Sequence, residues 1–142
     1  VFWAKQQKEP TLVWFSSRAV GEALQELGLT AHWKSNPQPG ETCALSLAIH
    51  HKGRNYQAWA NNFIAEPSPT GAVWEQLVGR THRAGQKADT VYVTIAQDFW
   101  PQVKALETAK RQAKYIEETT GNHQKLCYCD WIRRPAVLKK RS

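Results

Sequence analysis

The sequence predicts an α/β domain in which a mostly parallel sheet of about five strands is covered by helices on both faces. Two observations support this prediction. Short, uniformly apolar segments recur along the chain, and segments with helical periodicity separate them. Parallel strands buried on both faces are continuously apolar, and their crossover connections supply the covering helices. The chain of 142 residues is long enough for one domain with one core.

The first predicted strand and helix begin the domain, which we place at residues 11–121. The segment TLVWF (11–15) is apolar and rich in β-forming residues, as expected for a buried strand. Ser16 and Ser17 offer an N-cap for a helix that Gly28 ends. Apolar residues at i, i+4 and i+7 give this helix its buried stripe: Val20, Leu24 and Leu27.

The remaining elements follow in order. Four further compact apolar segments are predicted to be strands: 30–33, 43–49, 61–65 and 90–95. A helix is predicted over 72–84, and Pro101 suits the first turn of a long helix that ends at Gly121. Residues 1–10 are interpreted as a lead-in or linker, and 122–142 as a C-terminal extension.

Composition restricts the functional classes. The formal net charge of +7 suits a polyanionic partner such as nucleic acid or nucleotide, with a merely basic soluble domain as the alternative. No apolar run approaches the roughly 18 residues that a membrane span needs, so we expect no membrane partner. Three cysteines without a secretory signal predict a cytoplasmic, reducing location. Because the chain contains no methionine, we expect it to be a piece of a longer protein.

No metal site is predicted from the sequence. Cys127 and Cys129 form a C-x-C pair, but no second pair follows, and His123 alone is a poor complement to them. Four tryptophans invite a base-stacking role, but their spacing favours burial in the core: Trp14, Trp59, Trp74 and Trp100.

The segment QLVGRTHRAGQ (76–86) carries the strongest chemical signal. On a helix, Gln76, Arg80 and Arg83 are spaced by four and three residues and share one face, away from Leu77. Guanidinium groups are always charged and form forked hydrogen bonds to phosphate oxygens. Two of them one turn apart can grip the end of a triphosphate. For the arginine spacing alone, a solvated surface helix is the alternative.

The full pattern Q-x-x-G-R-x-H-R-x-G-Q resembles the sixth motif of superfamily 2 helicases and translocases. Its His82 and closing Gly-Gln pair resemble the Swi/Snf-like branch. The segment LSLAIHHKGRNY (45–56) is similar to the fifth motif of that branch, with matches at Gly53 and Asn55. TLVWFSS is similar to the fourth motif, so the resemblance covers residues 11–95. Departures, such as histidines at 50 and 51 in place of glycines, indicate a compact, divergent member of microbial or viral origin.

The resemblance implies a three-layer RecA-like domain that forms the second, C-terminal lobe of a two-lobed motor. ATP and Mg²⁺ would bind in the full-length protein between this lobe and an N-terminal RecA-like lobe, its expected partner. That first lobe carries the phosphate loop and the Asp-Glu pair, and this chain contains neither G-x-x-x-x-G-K-[ST] nor a paired acid at a strand end. Alone, the chain is expected to bind no ATP stably and to be inactive.

The resemblance also implies roles for individual residues. Arg80 and Arg83 would be arginine fingers that reach the ATP, and Gln76 would help to set their network. Gly53 and Asn55 would lie near the ribose and phosphates of the nucleotide. Independently of the resemblance, a glycine permits close backbone approach and an asparagine can both donate and accept hydrogen bonds.

Contacts to the DNA backbone are expected from the loops that follow the strands. Such contacts position a nucleic acid without reading its sequence, and a polar residue exposed to solvent is the alternative for each. The candidates are Ser16, Ser17, Arg18, Ser46, His50, His51 and Lys52.

Three functional hypotheses follow. The first is the C-terminal motor lobe of an ATP-dependent DNA helicase or translocase. The second is a degenerate lobe of the same fold that binds nucleic acid or a protein partner without catalysis. The third, a small nucleotide-binding enzyme complete in itself, ranks last because no Gly-rich fingerprint follows a strand.

Overall fold

The computed structural model describes residue 4 and residues 6–33, 35–47, 56–81, 86–88, 90–97 and 100–129, and only the backbone at positions 80 and 81. The elements are, in order, β1 (Thr11–Phe15), α1 (Arg18–Glu26), β2 (Ala31–His32), β3 (Cys43–Ser46), β4 (Asn61–Ile64), α2 (Gly71–Thr81), β5 (Tyr92–Ile95), α3 (Trp100–Thr120) and a short 3₁₀ helix (Lys125–Tyr128). The strands form one sheet in the order β2-β3-β1-β4-β5, and every neighbouring pair is parallel. This arrangement confirms the predicted five-stranded parallel sheet.

Most observed elements are slightly shorter than predicted. The strand predicted over 90–95 begins at Tyr92, because Tyr92 pairs with Asn61, the first residue of β4. The strand predicted over 43–49 ends at Ser46, and its last two residues lie outside the described part. The helix predicted over 72–84 begins at Gly71, and residues 82–84 also lie outside the described part.

The ends of α1 follow the predicted capping chemistry. The Ser17 side chain accepts a hydrogen bond from the Val20 backbone N–H at 3.3 Å, and Gly28 has a φ of +96° just after the helix. The prediction that Leu27 belongs to the buried stripe was wrong, because Leu27 is the C-cap residue and is 66% exposed. Leu29 follows the turn and is buried in the α1 face of the core instead.

The two faces of the sheet are covered by different helices. Leu12 and Trp14 on β1 face a core to which α2, α3 and the 3₁₀ helix contribute, while Val13 and Phe15 face a smaller core beneath α1. This division follows from the alternation of side chains along a strand. The predicted burial of tryptophans is confirmed for the three members of the larger core, Trp14, Trp59 and Trp74. Trp100 is 73% exposed because it begins α3 at the surface.

Two polar contacts complete the larger core. The indole Nε1 of Trp14 donates to Oδ1 of the fully buried Asn62 at 3.1 Å, which ties β1 to β4. The backbone N–H of Lys125 donates to Glu75 on α2 at 2.6 Å, and Leu126 is buried beside it. Residues beyond 121 therefore contribute to this core. Among the described helices, none combines the length and the apolar character that crossing a membrane requires.

Candidate functional site

The loops after β1 and β4 meet at the carboxyl edge of the sheet. These two strands are neighbours, but α1 packs on one face of the sheet and α2 packs on the other. In open α/β sheets, such a change of face opens a crevice at the strand ends, where ligands commonly bind. The segments 16–17 and 65–70 border this crevice.

Glu66 occupies the β1 side of the crevice. Its Oε1 accepts hydrogen bonds from the backbone N–H of Ser16 at 2.8 Å, from that of Ser17 at 2.7 Å, and from the Ser17 hydroxyl at 3.1 Å. The positive end of a helix dipole favours an anion at this position. The amides predicted to contact DNA phosphates therefore donate to a carboxylate of the same chain, and a phosphate must displace Glu66 to use them.

A surface groove continues from this point along α1. The Arg18 guanidinium Nε lies 2.8 Å from Glu22 Oε1, one helical turn away, and both side chains are exposed. Trp33 packs edge-on against Phe15, with ring centroids 5.0 Å apart. The groove is lined by Ser16, Arg18, Glu22, Gln25 and Trp33. It thus combines a hydroxyl, a cation and an aromatic ring, the side chains that contact single-stranded nucleic acid.

The other predicted DNA contacts are either buried or lie outside the described residues. Ser46 ends β3 opposite Phe15 and is 5% exposed, so its hydroxyl lies below the surface. His50, His51 and Lys52 lie outside the described residues, as do the predicted nucleotide contacts Gly53 and Asn55.

Helix α2 holds the predicted catalytic positions. Trp74, Leu77 and Val78 are buried on one side of this helix, which confirms the predicted burial of Leu77. Gln76 lies about 200° around the helix from Trp74, and position 80 follows Gln76 one turn later on the same face. Gln76 is half-buried, and its Oε1 is shielded from solvent. The side chain of Arg80 and the whole of Arg83 lie outside the described part, so their direction stays a prediction.

The last residue of the predicted sixth motif is bonded to the segment that follows the predicted fifth motif. Gln86 donates through Nε2 to the backbone carbonyl of Trp59 at 2.7 Å and accepts the N–H of Ala88 at 3.1 Å. Tyr56 is 4% exposed, and its ring lies edge-on to Trp14 and Trp59 at 5.9 and 5.8 Å. No pattern in the sequence indicates the Gln86 contact, because it depends on the separation of two loops in space.

Comparisons with known proteins show one similarity in sequence and one in fold. No protein-family model matches the chain. The chain is 30% identical over 106 residues to the RNA polymerase-associated protein RapA of Haemophilus influenzae, across 74% of this chain and 11% of RapA. The C-terminal part of the Fun30 ATPase domain matches with a TM-score of 0.55 and 18% identity, over 78% of this chain and 41% of that structure.

The structural match confirms the predicted RecA-like α/β fold. Taken with the similarity to RapA, it relates this chain to a part of each of two larger proteins. The chain spans a small part of RapA and less than half of the Fun30 structure. The assignments of the fourth, fifth and sixth motifs stay predictions.

Proposed function

We propose that this chain is the C-terminal motor lobe of an ATP-dependent DNA helicase or translocase of the Swi/Snf-like branch. The observation that carries the proposal is the placement of Gln76 and position 80 on the face of α2 away from the core, in a domain similar to part of an ATPase. We propose that this face, which does not take part in the core, meets a second lobe.

In this proposal, the chain supplies cations to a nucleotide that a companion lobe holds. ATP and Mg²⁺ bind to an N-terminal RecA-like lobe of the same protein, and Arg80 and Arg83 reach across the cleft. Their guanidinium groups stabilise the negative charge that builds on the transferred phosphoryl group. Gln76 sets the geometry of the pair, and Gly53 and Asn55 approach the ribose and phosphates.

DNA is proposed to follow the groove beside α1. Arg18 and the Ser16 hydroxyl contact backbone phosphates, Trp33 offers a stacking surface, and residues 50–52 extend the contact. The Ser17 amide contacts a phosphate once that phosphate displaces Glu66. Ser46 is buried and is left out of the proposed contact surface. The net charge of +7 supports a polyanionic partner.

The direct test is DNA-stimulated ATP hydrolysis by a form of the protein that contains both lobes. We expect Arg80→Ala and Arg83→Ala each to lower turnover by about 10³-fold or more, with nucleotide binding largely retained. Arg80→Lys keeps the positive charge but loses the forked hydrogen-bond geometry of the guanidinium group. Its turnover should therefore lie between those of the unsubstituted protein and of Arg80→Ala. Arg111→Ala is the control, because Arg111 is exposed on α3 and contacts Thr108. Unchanged turnover in both alanine variants would overturn the arginine-finger assignment.

The alternative is a lobe that binds nucleic acid or a protein partner without catalysis. The contacts of Glu66 favour it, because they occupy amides that a DNA-bound motor would use. A phosphate loop and an Asp-Glu pair encoded upstream in the same reading frame would favour the motor. DNA binding without any ATP hydrolysis in the complete protein would favour the alternative.

A further inference from the structure

We propose that His32, Glu41 and Cys43 form a binding site for a divalent transition metal ion, best suited to Zn²⁺. The imidazole nitrogen, carboxylate oxygen and thiol sulfur all lie within 4.8 Å of one another. These are the three kinds of protein ligand that zinc accepts, and a water molecule can complete a tetrahedral set. Cys43 belongs to the core that α2 and α3 cover, whereas Trp33 of the groove packs against the core beneath α1, so the site and the groove lie on different faces of the sheet. The proposal does not depend on the motor function.

The register of the sheet edge brings the three residues together. His32 on β2 pairs with Leu45 on β3 in parallel register, and Cys43 precedes Leu45 by two residues. Paired residues and residues two apart lie on the same side of a sheet, so His32 and Cys43 share a face. Glu41 stands at the end of the connection between the two strands and reaches the same point. A bound ion would therefore fasten the connection 33–42 to the sheet.

Two of the ligands are already held in orientation by other groups. Nδ1 of His32 lies 2.8 Å from the Ser35 hydroxyl, while Nε2 faces Oε2 of Glu41 at 2.7 Å. The other oxygen of Glu41, Oε1, accepts the backbone N–H of Gln38 at 2.9 Å. Hydrogen bonds of this kind fix the tautomer and direction of metal ligands, and they accompany such ligands in known metal sites.

The charges of the site balance around a divalent ion. The Cys43 side chain is fully buried, and this burial, assisted by the charge of Glu41, raises the pKa of its thiol to about 12. On binding, Zn²⁺ would take the thiolate and release its proton to solvent. The carboxylate can only accept, so Nε2 carries the hydrogen of its bond to Glu41. That proton would move by way of solvent to Nδ1, where the Ser35 hydroxyl would accept it, and Nε2 and the carboxylate would then bind the ion. One thiolate and one carboxylate then neutralise the two positive charges.

The test uses Co²⁺ as a spectroscopic substitute for Zn²⁺, added to the whole 142-residue chain. It is performed in a Cys127→Ser/Cys129→Ser background, so that the exposed C-x-C pair cannot supply the thiolate. We expect a thiolate-to-cobalt charge-transfer band that saturates at one ion per chain and disappears when Zn²⁺ is added. A band that is seen only in the unsubstituted chain would overturn the proposal and assign the metal to the C-x-C pair.

Ligand variants then locate the ion. Cys43→Ser should abolish the band. His32→Gln and Glu41→Gln should each weaken binding by about 100-fold or more, and Ser35→Ala, which removes only an orienting hydrogen bond, should weaken it by about 10-fold. If Cys43→Ser prevents folding, the metal affinity of Glu41→Gln decides whether this is the binding site. Glutamine keeps the size of the Glu41 side chain and one hydrogen-bond acceptor, so the variant should still fold. Unchanged affinity in both Glu41→Gln and His32→Gln would overturn the proposal.

Discussion

Glu66 and Ser17 join the ends of two neighbouring strands, with the carboxylate Oε1 2.7 Å from the Ser17 backbone nitrogen. Glu66 follows β4, and Ser17 is the N-cap of the helix that follows β1. The carboxylate therefore places a negative charge at the positive end of α1 from outside that helix. The same contact stabilises the domain and occupies the position where a phosphate would bind.

The first prediction concerns the stability that this contact provides. Glu66→Ala should lower the free energy of unfolding by about 1–2 kcal/mol, because it leaves the amides of Ser16 and Ser17, just before α1, without their acceptor and removes a negative charge from the positive end of that helix. Glu22→Ala, which removes an exposed carboxylate paired with Arg18, should cost about 0.5 kcal/mol or less. Urea denaturation of both variants measures the difference. Equal losses of unfolding free energy in the two variants would show that the Glu66 contact stabilises the domain no more than an exposed ion pair does.

The second prediction concerns nucleic acid. If Arg18 contacts a phosphate, Arg18→Ala should reduce the slope of log affinity against log salt by about one. Glu66→Ala should tighten binding, because the two amides become available to phosphate. Fluorescence anisotropy of labelled single-stranded DNA over a range of salt concentrations measures both effects. Arg111→Ala serves as the charge-matched control, and an identical slope for Arg18→Ala would remove Arg18 from the interface.

The third prediction contrasts two glycines of α2. A Cβ at Gly71 would lie 2.9 Å from the backbone nitrogen of Ala113 and 3.1 Å from the carbonyl oxygen of Ala109, so the helices approach too closely for a side chain. Gly71→Ala should destabilise the domain by about 1–3 kcal/mol. A Cβ at Gly79 meets no atom within 4 Å among the described residues, so Gly79→Ala should stabilise α2 by about 0.5–1 kcal/mol. Thermal unfolding of the pair checks the opposite signs.

The fourth prediction concerns pH and the packing of the 3₁₀ helix. The Tyr128 hydroxyl donates to Glu117 Oε2 at 2.7 Å, and the Gln124 backbone N–H donates to Oε1 at 3.1 Å. These bonds hold the pKa of Glu117 below its ordinary value of 4.5. A lowered pKa means that the ionised carboxylate stabilises the fold, so this contribution is complete above pH 4.5 and is lost as the pH falls through the lowered pKa.

The same hydrogen bond acts in the opposite sense on the phenol. Together with partial desolvation and the charge of Glu117, it raises the pKa of Tyr128 above 10.0, so its contribution is complete below that pH and is lost as the pH rises through the raised pKa. Glu117→Gln should make stability less dependent on pH below 4.5, as the linkage relation requires. Glu118→Gln is the matched control on the neighbouring residue. The same acid dependence in both variants would contradict the assignment.

The sequence predicted the strands well because central parallel strands are buried on both faces. TLVWF and CALS show continuous apolar runs for this reason, and both became strands. Helical spacing also predicted that Gln76 and position 80 share a face of α2. Leu27 was misplaced because the helix ends one residue earlier, at Glu26, so Leu27 does not continue the helical spacing of Val20 and Leu24.

The contacts of the two loop acids could not be predicted in the same way. Glu66 meets Ser17 only because β4 lies beside β1, and strand order is a long-range property. Glu41 meets His32 only because β2 and β3 pair in one register, which brings two short segments to the same point. Loop composition predicts that acids are present in a turn but not which strand end they reach.

The shortness of β2 has a consequence for behaviour at high concentration. This strand lies at the margin of the sheet and spans two residues, Ala31 and His32. An edge strand of that length presents few unpaired amides and carbonyls to another molecule, so a second copy would form few hydrogen bonds by adding a strand there. The domain is thereby protected on this side against growth into ribbons and fibrils.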